Sequence, residues 1–255
     1  MTVEPLAALD SGGDLPAILF VHGLTFAKET WDPILARLAD RFRCLAVDLP
    51  GHGGSGGSGA DALEVVDRIH ATVVAHDVVR PVVVGHSFGA LHATFYAAAH
   101  DAAGVVNVDQ SLLVGPFMGL VQQLAPALRG PDFAAAFAPF VASIGVGQLP
   151  ESERQRVLGT QRIDQQLVLD HWSRPLNDSP ADVQAEIDGL LARVTVPYLW
   201  LTGNAVGEAD KDHLMAQVPR ARVETWPGLG HMVHLANPDR FAERVQAFAY
   251  AADPP

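Results

Sequence analysis

Short apolar runs alternate along the chain with longer mixed stretches. The runs are Ile18–Val21, Cys44–Val47, Val82–Val84, Val105–Val108 and Tyr198–Leu201. Helix-like patterning lies between them, near Trp31–Asp40, Asp61–His76, Ser87–His100 and Arg240–Ala252. A strand that is apolar at every position is buried on both faces, which predicts a parallel sheet covered by helices. Right-handed crossovers bring the C-terminal ends of parallel strands to one edge, and ligands of open α/β sheets bind beyond those ends. Polar residues collect in the turns after the runs: His22-Gly23, Asp48–Gly53, His86-Ser87, Asp109-Gln110-Ser111 and Thr202-Gly203-Asn204. The functional edge is expected there.

From Leu113 to Asp178 the alternation stops. This stretch carries Pro116, Pro126, Pro131, Pro139, Pro150 and Pro175, with aromatic residues and helical patterning but no strand-like run. It predicts a helical lid, residues 113–180, inserted into a core made of residues 1–112 and 181–255. Within it, Glu151–Trp172 alternates charged and apolar residues as an amphipathic helix does. Gly53–Gly59 is a flexible loop by composition.

Composition narrows the picture. A chain of 255 residues, 49% hydrophobic and 18% charged, buries enough surface to need no disulfide or metal staple. The single cysteine, Cys44, lies in an apolar run and reads as a small buried hydrophobe. A net charge of −12 lacks the basic face that nucleic acid requires. The start, Met1-Thr2-Val3-Glu4-Pro5, shows no basic region followed by a long apolar stretch, and no apolar run approaches the ~20 residues of a membrane helix. A cytoplasmic protein acting on a small molecule is expected, with neither nucleic acid nor membrane as partner; oligomeric state is not legible.

Pro81–His92 reads as strand, G-x-S-x-G, helix, with the Ala-rich stretch Ala93–Ala99 completing the helix. In such a turn the glycines Gly85 and Gly89 give the backbone room, and Ser87 is pushed out at the top of the sheet with the positive helix end behind it. Together with His22-Gly23, Asp48-Leu49-Pro50-Gly51-His52-Gly53-Gly54-Ser55 and Gly230-His231, in this order, the chain resembles the serine-nucleophile enzymes of the α/β-hydrolase superfamily. The resemblance covers roughly Ile18–Ser111 and Val196–Phe248 and leaves the lid outside. There is room for about one strand before Ile18, so the first strand of the family's usual hairpin is expected to be missing.

The resemblance implies a mostly parallel, twisted sheet with helices on both faces, Ser87 as nucleophile, and His231 as base. It assigns the oxyanion-binding N–H groups to Leu24 and Phe88. Among 11 histidines, His231 alone has the preceding Gly at the family's position, with Asn237-Pro238-Asp239 opening the last helix. His22 is expected to brace its loop; Thr25 is a loop residue or an added hydroxyl contact; His52, His86, His92 and His234 read as scaffold.

The acid is less direct. Most members carry it as Gly-x-x-Asp after the run Tyr198–Leu201, and counting from Gly203 puts Val206 there. Asp109, at the end of the preceding strand, is where some members place it and ranks first; Asp210 and Glu208 are the alternatives, and Asp109 as a simple turn cap stays open. The implied reaction is hydrolysis of a carboxylic ester or lactone, with the C–C bond of a β-diketone-type substrate as a variant, and needs no cofactor or metal. Cofactor-free dioxygenation by the His–acid pair and non-catalytic ligand binding are the rival readings. Metal hydrolysis lacks a third ligand beside His231 and His234, and Gly51–Gly59 lacks the Lys-Ser/Thr of a phosphate loop. Ser87 stands where haloalkane dehalogenases and epoxide hydrolases of this fold carry Asp. Phe117, Met118, Phe133, Phe137, Phe140 and Trp172 suggest an apolar pocket, and packing within the lid explains them equally well.

Overall fold

Each apolar run forms a strand. A computed structural model describes residues 3–252. Met1 and Thr2, on which the reading of the N-terminus partly rests, and the end of the core segment 181–255 lie outside them. The first half runs β1 (Ala8–Asp10), β2 (Ala17–Val21), a 3-10 turn (Lys28–Trp31), α1 (Asp32–Leu38), β3 (Arg43–Val47), α2 (Ala62–Ala75), β4 (Val82–His86), α3 (Phe88–Ala99) and β5 (Gly104–Val108). The strands lie in the order β1-β3-β2-β4-β5, followed by β6 (Tyr198–Thr202) and β7 (Ala221–Thr225). β1 is antiparallel to β3 and the other pairings are parallel. Among the described residues a single strand precedes β2.

Every residue of β4, β5 and β6 is buried, and the two faces sort by alternation. Leu19, Val21, Val83, Val105, Tyr198 and Trp200 pack with Val65 and Ile69 of α2 and Ala93 of α3 on one side. Ile18, Phe20, Val84, Val106, Val108, Leu199 and Leu201 pack with Ile34 and Leu38 of α1 on the other. Phe241 and Val245 of the C-terminal helix (α12, Pro238–Ala252) join the second side. Cys44 is buried there too, and burial pushes its thiol up to about 12. β7 is a half-exposed edge strand, which is why it forms no continuous apolar run.

Between β5 and β6 the chain is helical: α4 (Gly115–Arg129), α5 (Phe133–Ile144), α6 (Glu151–Thr160), α7 (Gln165–His171), α8 (Ser173–Asn177) and α9 (Pro180–Leu191). α9 adds Val183, Ile187 and Leu191 to the core over the sheet. The helices before it build a separate apolar cluster from Val121, Leu128, Phe137, Val168, Trp172 and Leu176, closed from below by Leu24 and Phe88. The single amphipathic helix expected over Glu151–Trp172 is instead two, α6 and α7. The Asp164 side chain caps α7 by accepting from the Leu167 N–H at 2.9 Å, and the Arg162 N–H leaves the helical pattern to donate to the Thr25 carbonyl at 2.8 Å. A tertiary bond thus overrides the local periodicity. After β6 come α10 (Glu208–Gln217), β7, and α11 (Val233–Ala236), a single turn before α12.

Candidate active site

Ser87 occupies the tight turn between β4 and α3 with φ 52° and ψ −128°. A non-glycine residue at positive φ is strained by roughly 1–3 kcal/mol and persists only where its surroundings enforce it. Here they do: the Ser87 N–H donates to the Val108 carbonyl at 2.8 Å, and its carbonyl accepts from the Ala90 N–H at 2.7 Å. The flanking glycines are required by contact. A Cβ on Gly85 would lie 2.5 Å from the Ala90 Cα, and one on Gly89 would strike the backbone of Val21 and His22. Ser87 itself is half-buried, at the head of α3.

The loop after β2 lies against this turn. A Cβ on Gly23 would come within 3.2 Å of the Ser87 Cβ. His22 Nδ1 donates to the Gly23 carbonyl at 2.8 Å while its Nε2 accepts from the Leu49 N–H at 3.0 Å, so the ring is neutral. Burial, first among the causes, pushes His22 down to about 4. Thr25, at φ 71°, donates its N–H to His52 Nε2 at 3.1 Å, and His52 Nδ1 donates to the Pro50 carbonyl at 3.0 Å. The buried Asp48 carboxylate accepts from Lys28 Nζ, the Lys28 N–H and the Gly54 N–H, each at 2.8 Å. Burial works against its charge, but these donors outweigh it and hold Asp48 below the usual carboxylate range. The Asp48–Ser55 segment thus ties down the loop carrying Leu24.

His231 follows β7 on a loop that turns at Gly230 (φ 65°), and its ring is brought to the strand ends by two contacts. His86 Nε2 donates to the His231 carbonyl at 3.1 Å. Gly203, after β6, lies so close that a Cβ there would sit 2.7 Å from the Gly230 nitrogen.

The structure brings Asp109 to His231. His231 Nδ1 donates to Asp109 Oδ2 at 2.6 Å, with the two side chains 19% and 6% exposed. Asp109 sits one residue past β5 at φ 59°, its N–H donating to the Leu201 carbonyl at 2.9 Å. Buried Asn107 stitches the turn: its Oδ1 accepts from the Gln110 N–H at 3.0 Å, and its Nδ2 donates to the Gln110 carbonyl at 2.8 Å. Two further donors reach the carboxylate. Thr202 Oγ1 donates to Oδ1, and Asn204 Nδ2 donates to Oδ2 at 2.8 Å. Both residues lie in a turn legible as polar from the sequence, but nothing local marked them as partners of Asp109.

The alternative acids are engaged elsewhere. Glu208 Oε1 accepts from Lys211 Nζ at 2.8 Å, and Asp210 Oδ1 accepts from Ser111 Oγ. Val206 packs against the apolar core. His234 differs from its reading as a satisfied structural residue: it is fully buried, against the Trp31 and His86 rings, and neither ring nitrogen has a hydrogen-bond partner among the described residues. His92 is in the same state beneath Phe88. A residue that sequence reasoning passed over is His171 of α7, whose Nε2 donates to the Pro50 carbonyl at 2.9 Å. Beside His231 a cleft of about 340 Å³ opens between Ile144–Pro150 and Gly228–Met232.

No group of three or more His, Cys, Asp or Glu among the described residues is arranged to hold a metal ion, and no described helix is long and apolar enough to cross a membrane. A 2-succinyl-6-hydroxy-2,4-cyclohexadiene-1-carboxylate synthase of Yersinia pestis bv. Antiqua (strain Nepal516) is 27% identical over 246 residues, covering 91% of this chain and 87% of that protein. A pimeloyl-[acyl-carrier protein] methyl ester esterase of Pectobacterium carotovorum subsp. carotovorum (strain PC1) is 28% identical over 257 residues, covering 92% and 94%. A hydrolase from Pseudomonas aeruginosa PA01 shares the fold with a TM-score of 0.77 at 19% identity, over 95% of this chain and 93% of that one. Residues 18–244 match the model of the alpha/beta hydrolase family, spanning every strand but β1 together with the Ser87 turn and the His231 loop. The chain is an enzyme of the alpha/beta hydrolase family.

Proposed function

We propose that this enzyme hydrolyses a carboxylic ester or lactone of a small, apolar substrate, with Ser87 as nucleophile, His231 as base and Asp109 as acid. The observation that carries the reading is the 2.6 Å bond from His231 Nδ1 to Asp109 Oδ2, which leaves Nε2 as the ring nitrogen to exchange a proton at the edge where Ser87 is held in strain. In the reaction, Ser87 Oγ attacks the ester carbonyl as its proton passes to His231 Nε2. The tetrahedral oxyanion is met by the Leu24 and Phe88 N–H groups, one such donor contributing roughly 3–4 kcal/mol. Collapse breaks the C–O bond, and His231 returns the proton to the departing alcohol. Water then attacks the acyl-Ser87, giving its proton to His231, and the acid leaves as Ser87 is reprotonated. Asp109 holds the Nδ1–H tautomer and offsets the imidazolium charge without taking the proton.

The segment 113–180 acts as a lid in this reading. Its aromatic cluster, with Phe117, Phe140 and Trp172 ring centroids 4.9 to 6.3 Å apart, favours an apolar acyl or alkyl group. The name of the Pectobacterium relative, an ester-cleaving enzyme, supports the ester class. The test is release of p-nitrophenol from short p-nitrophenyl esters and labelling by an organophosphonate. Ser87→Ala is expected to abolish both; persistence of either removes Ser87 as nucleophile.

A further inference from the structure

We propose that Thr202 and Asn204 are positioning residues for the reaction, a two-donor clamp from the end of β6 that orients the Asp109 carboxylate toward His231. The inference rests on the assignment of His231 and Asp109 made above. Where most relatives of this fold are expected to carry the acid, this chain has Val206, half-buried against the apolar core. The end of β6 contributes hydrogen-bond donors in place of the acid. The parallel pairing of β5 with β6 sets Val108 beside Leu201, and the next residues on each strand are Asp109 and Thr202. Their side chains meet as a consequence of register.

The carboxylate is nearly filled by this arrangement. Oδ2 accepts from His231 Nδ1 at 2.6 Å and from Asn204 Nδ2 at 2.8 Å, and Oδ1 accepts from the buried Thr202 hydroxyl. Thr202 is itself oriented: its Oγ1 accepts from the Asn204 N–H at 3.0 Å, and of the two acceptors within reach of its single proton the Asp109 carboxylate is nearer than the Asn204 carbonyl at 3.3 Å. A carboxylate 6% exposed has little water to replace a lost donor. Without Thr202 the carboxylate is held through Oδ2 alone, and Oδ1 no longer limits its rotation about the Cβ–Cγ bond. His231 then loses the fixed partner that selects its tautomer.

The experiment compares Thr202→Val, Thr202→Ser and Asn204→Ala with the parent enzyme on a short p-nitrophenyl ester across pH, alongside the proton NMR spectrum. Thr202→Val is expected to lower kcat by ten- to a hundredfold with little change in KM, as for a reacting group displaced by a fraction of an ångström to an ångström. The profile of kcat/KM across pH is expected to change in Thr202→Val, because the buried carboxylate that partners His231 has lost a donor. Asn204→Ala, at an exposed loop position that tolerates truncation, is expected to do the same to a smaller degree. Thr202→Ser keeps the hydroxyl and restores the parent profile. In the spectrum, the downfield resonance of His231 Nδ1–H, identified by its loss in His231→Gln, shifts or broadens in Thr202→Val and Asn204→Ala and stays in Thr202→Ser. Parent kinetics and an unmoved resonance in both truncations overturn the clamp, as does a Thr202→Ser as impaired as Thr202→Val, which would assign the effect to the methyl group. If Thr202→Val fails to fold, Asn204→Ala decides by the same readouts. The resonance needs no turnover, so a failure of the ester reading, seen as activity that survives Ser87→Ala, remains distinct from a failure of the clamp.

Discussion

Asp109 owes its place to backbone as much as to charge: a positive φ, an N–H held by Leu201 and a turn stitched by Asn107 fix its carboxylate beside His231. With Asp109 as the proposed acid, Asp109→Asn is expected to lower kcat on p-nitrophenyl esters by about 10⁴, since the amide no longer selects the required imidazole tautomer. Asp210→Asn and Glu208→Gln, whose carboxylates serve Ser111 and Lys211, are expected to stay near parent activity. A large loss in either, with Asp109→Asn active, would move the acid to α10. Gly203 offers a second test. Any Cβ there enters the Gly230 backbone, so Gly203→Ala should displace the His231 loop and lower stability by roughly 1–3 kcal/mol, read from the urea midpoint.

At the scale of elements, the helices between β5 and β6 are fastened to the loops that surround Ser87. Arg162 donates from its backbone to Thr25, Gln161 Nε2 donates to Thr25 Oγ1 at 3.3 Å, and His171 donates to Pro50, which His52 also uses. The His171 ring also fills the space that a side chain at Gly59 would need. His171→Ala removes a buried hydrogen bond and leaves a cavity, for a loss of about 2–3 kcal/mol concentrated in this junction. Limited proteolysis is expected to cut the Gln161–Asp164 connector faster in this variant than in the parent. Equal rates would show that α7 is held without His171.

For the molecule as a whole, the consequence of so many buried imidazoles is acid sensitivity. Burial, the leading cause in each case, holds His52 down to about 2, His92 to about 3 and His22 to about 4, and lowers His86, His171 and His234 as well. The unfolded chain binds protons at these sites near pH 6.5, whereas the folded chain does not until lower pH. Stability from their neutral state is therefore complete above about pH 6.5 and is lost as pH falls toward the folded values, by about 1.4 kcal/mol per pH unit for each histidine. Thermal melts should drop steeply between about pH 6.5 and 4.5. His92→Leu, which removes a ring with no polar partner among the described residues, should flatten that slope; an unchanged slope would place the acid sensitivity elsewhere.

Much of this was legible along the chain. Strands buried on both faces are apolar at nearly every position, so five of them stood out as runs, whereas β7, half-exposed at the sheet edge, did not. The Ser87 turn was readable because its residues are contiguous: Gly85 is demanded by the backbone of Gly89 and Ala90 within the same turn, although Gly89 answers to the distant Val21 and His22. Local pattern failed wherever a partner came from far away. The break between α6 and α7 follows from a bond to Thr25, more than a hundred residues earlier in the chain. The roles of Thr202, Asn204 and His171 follow from strand register and helix docking, which bring Thr202 to Asp109 and His171 to Pro50 across the fold. Hydrophobic periodicity encodes which face of an element is buried; it carries no information about which distant polar atoms will meet once the layers are packed. The sheet and the Ser87 turn therefore belong to the sequence, and the company kept by Asp109 belongs to the tertiary structure.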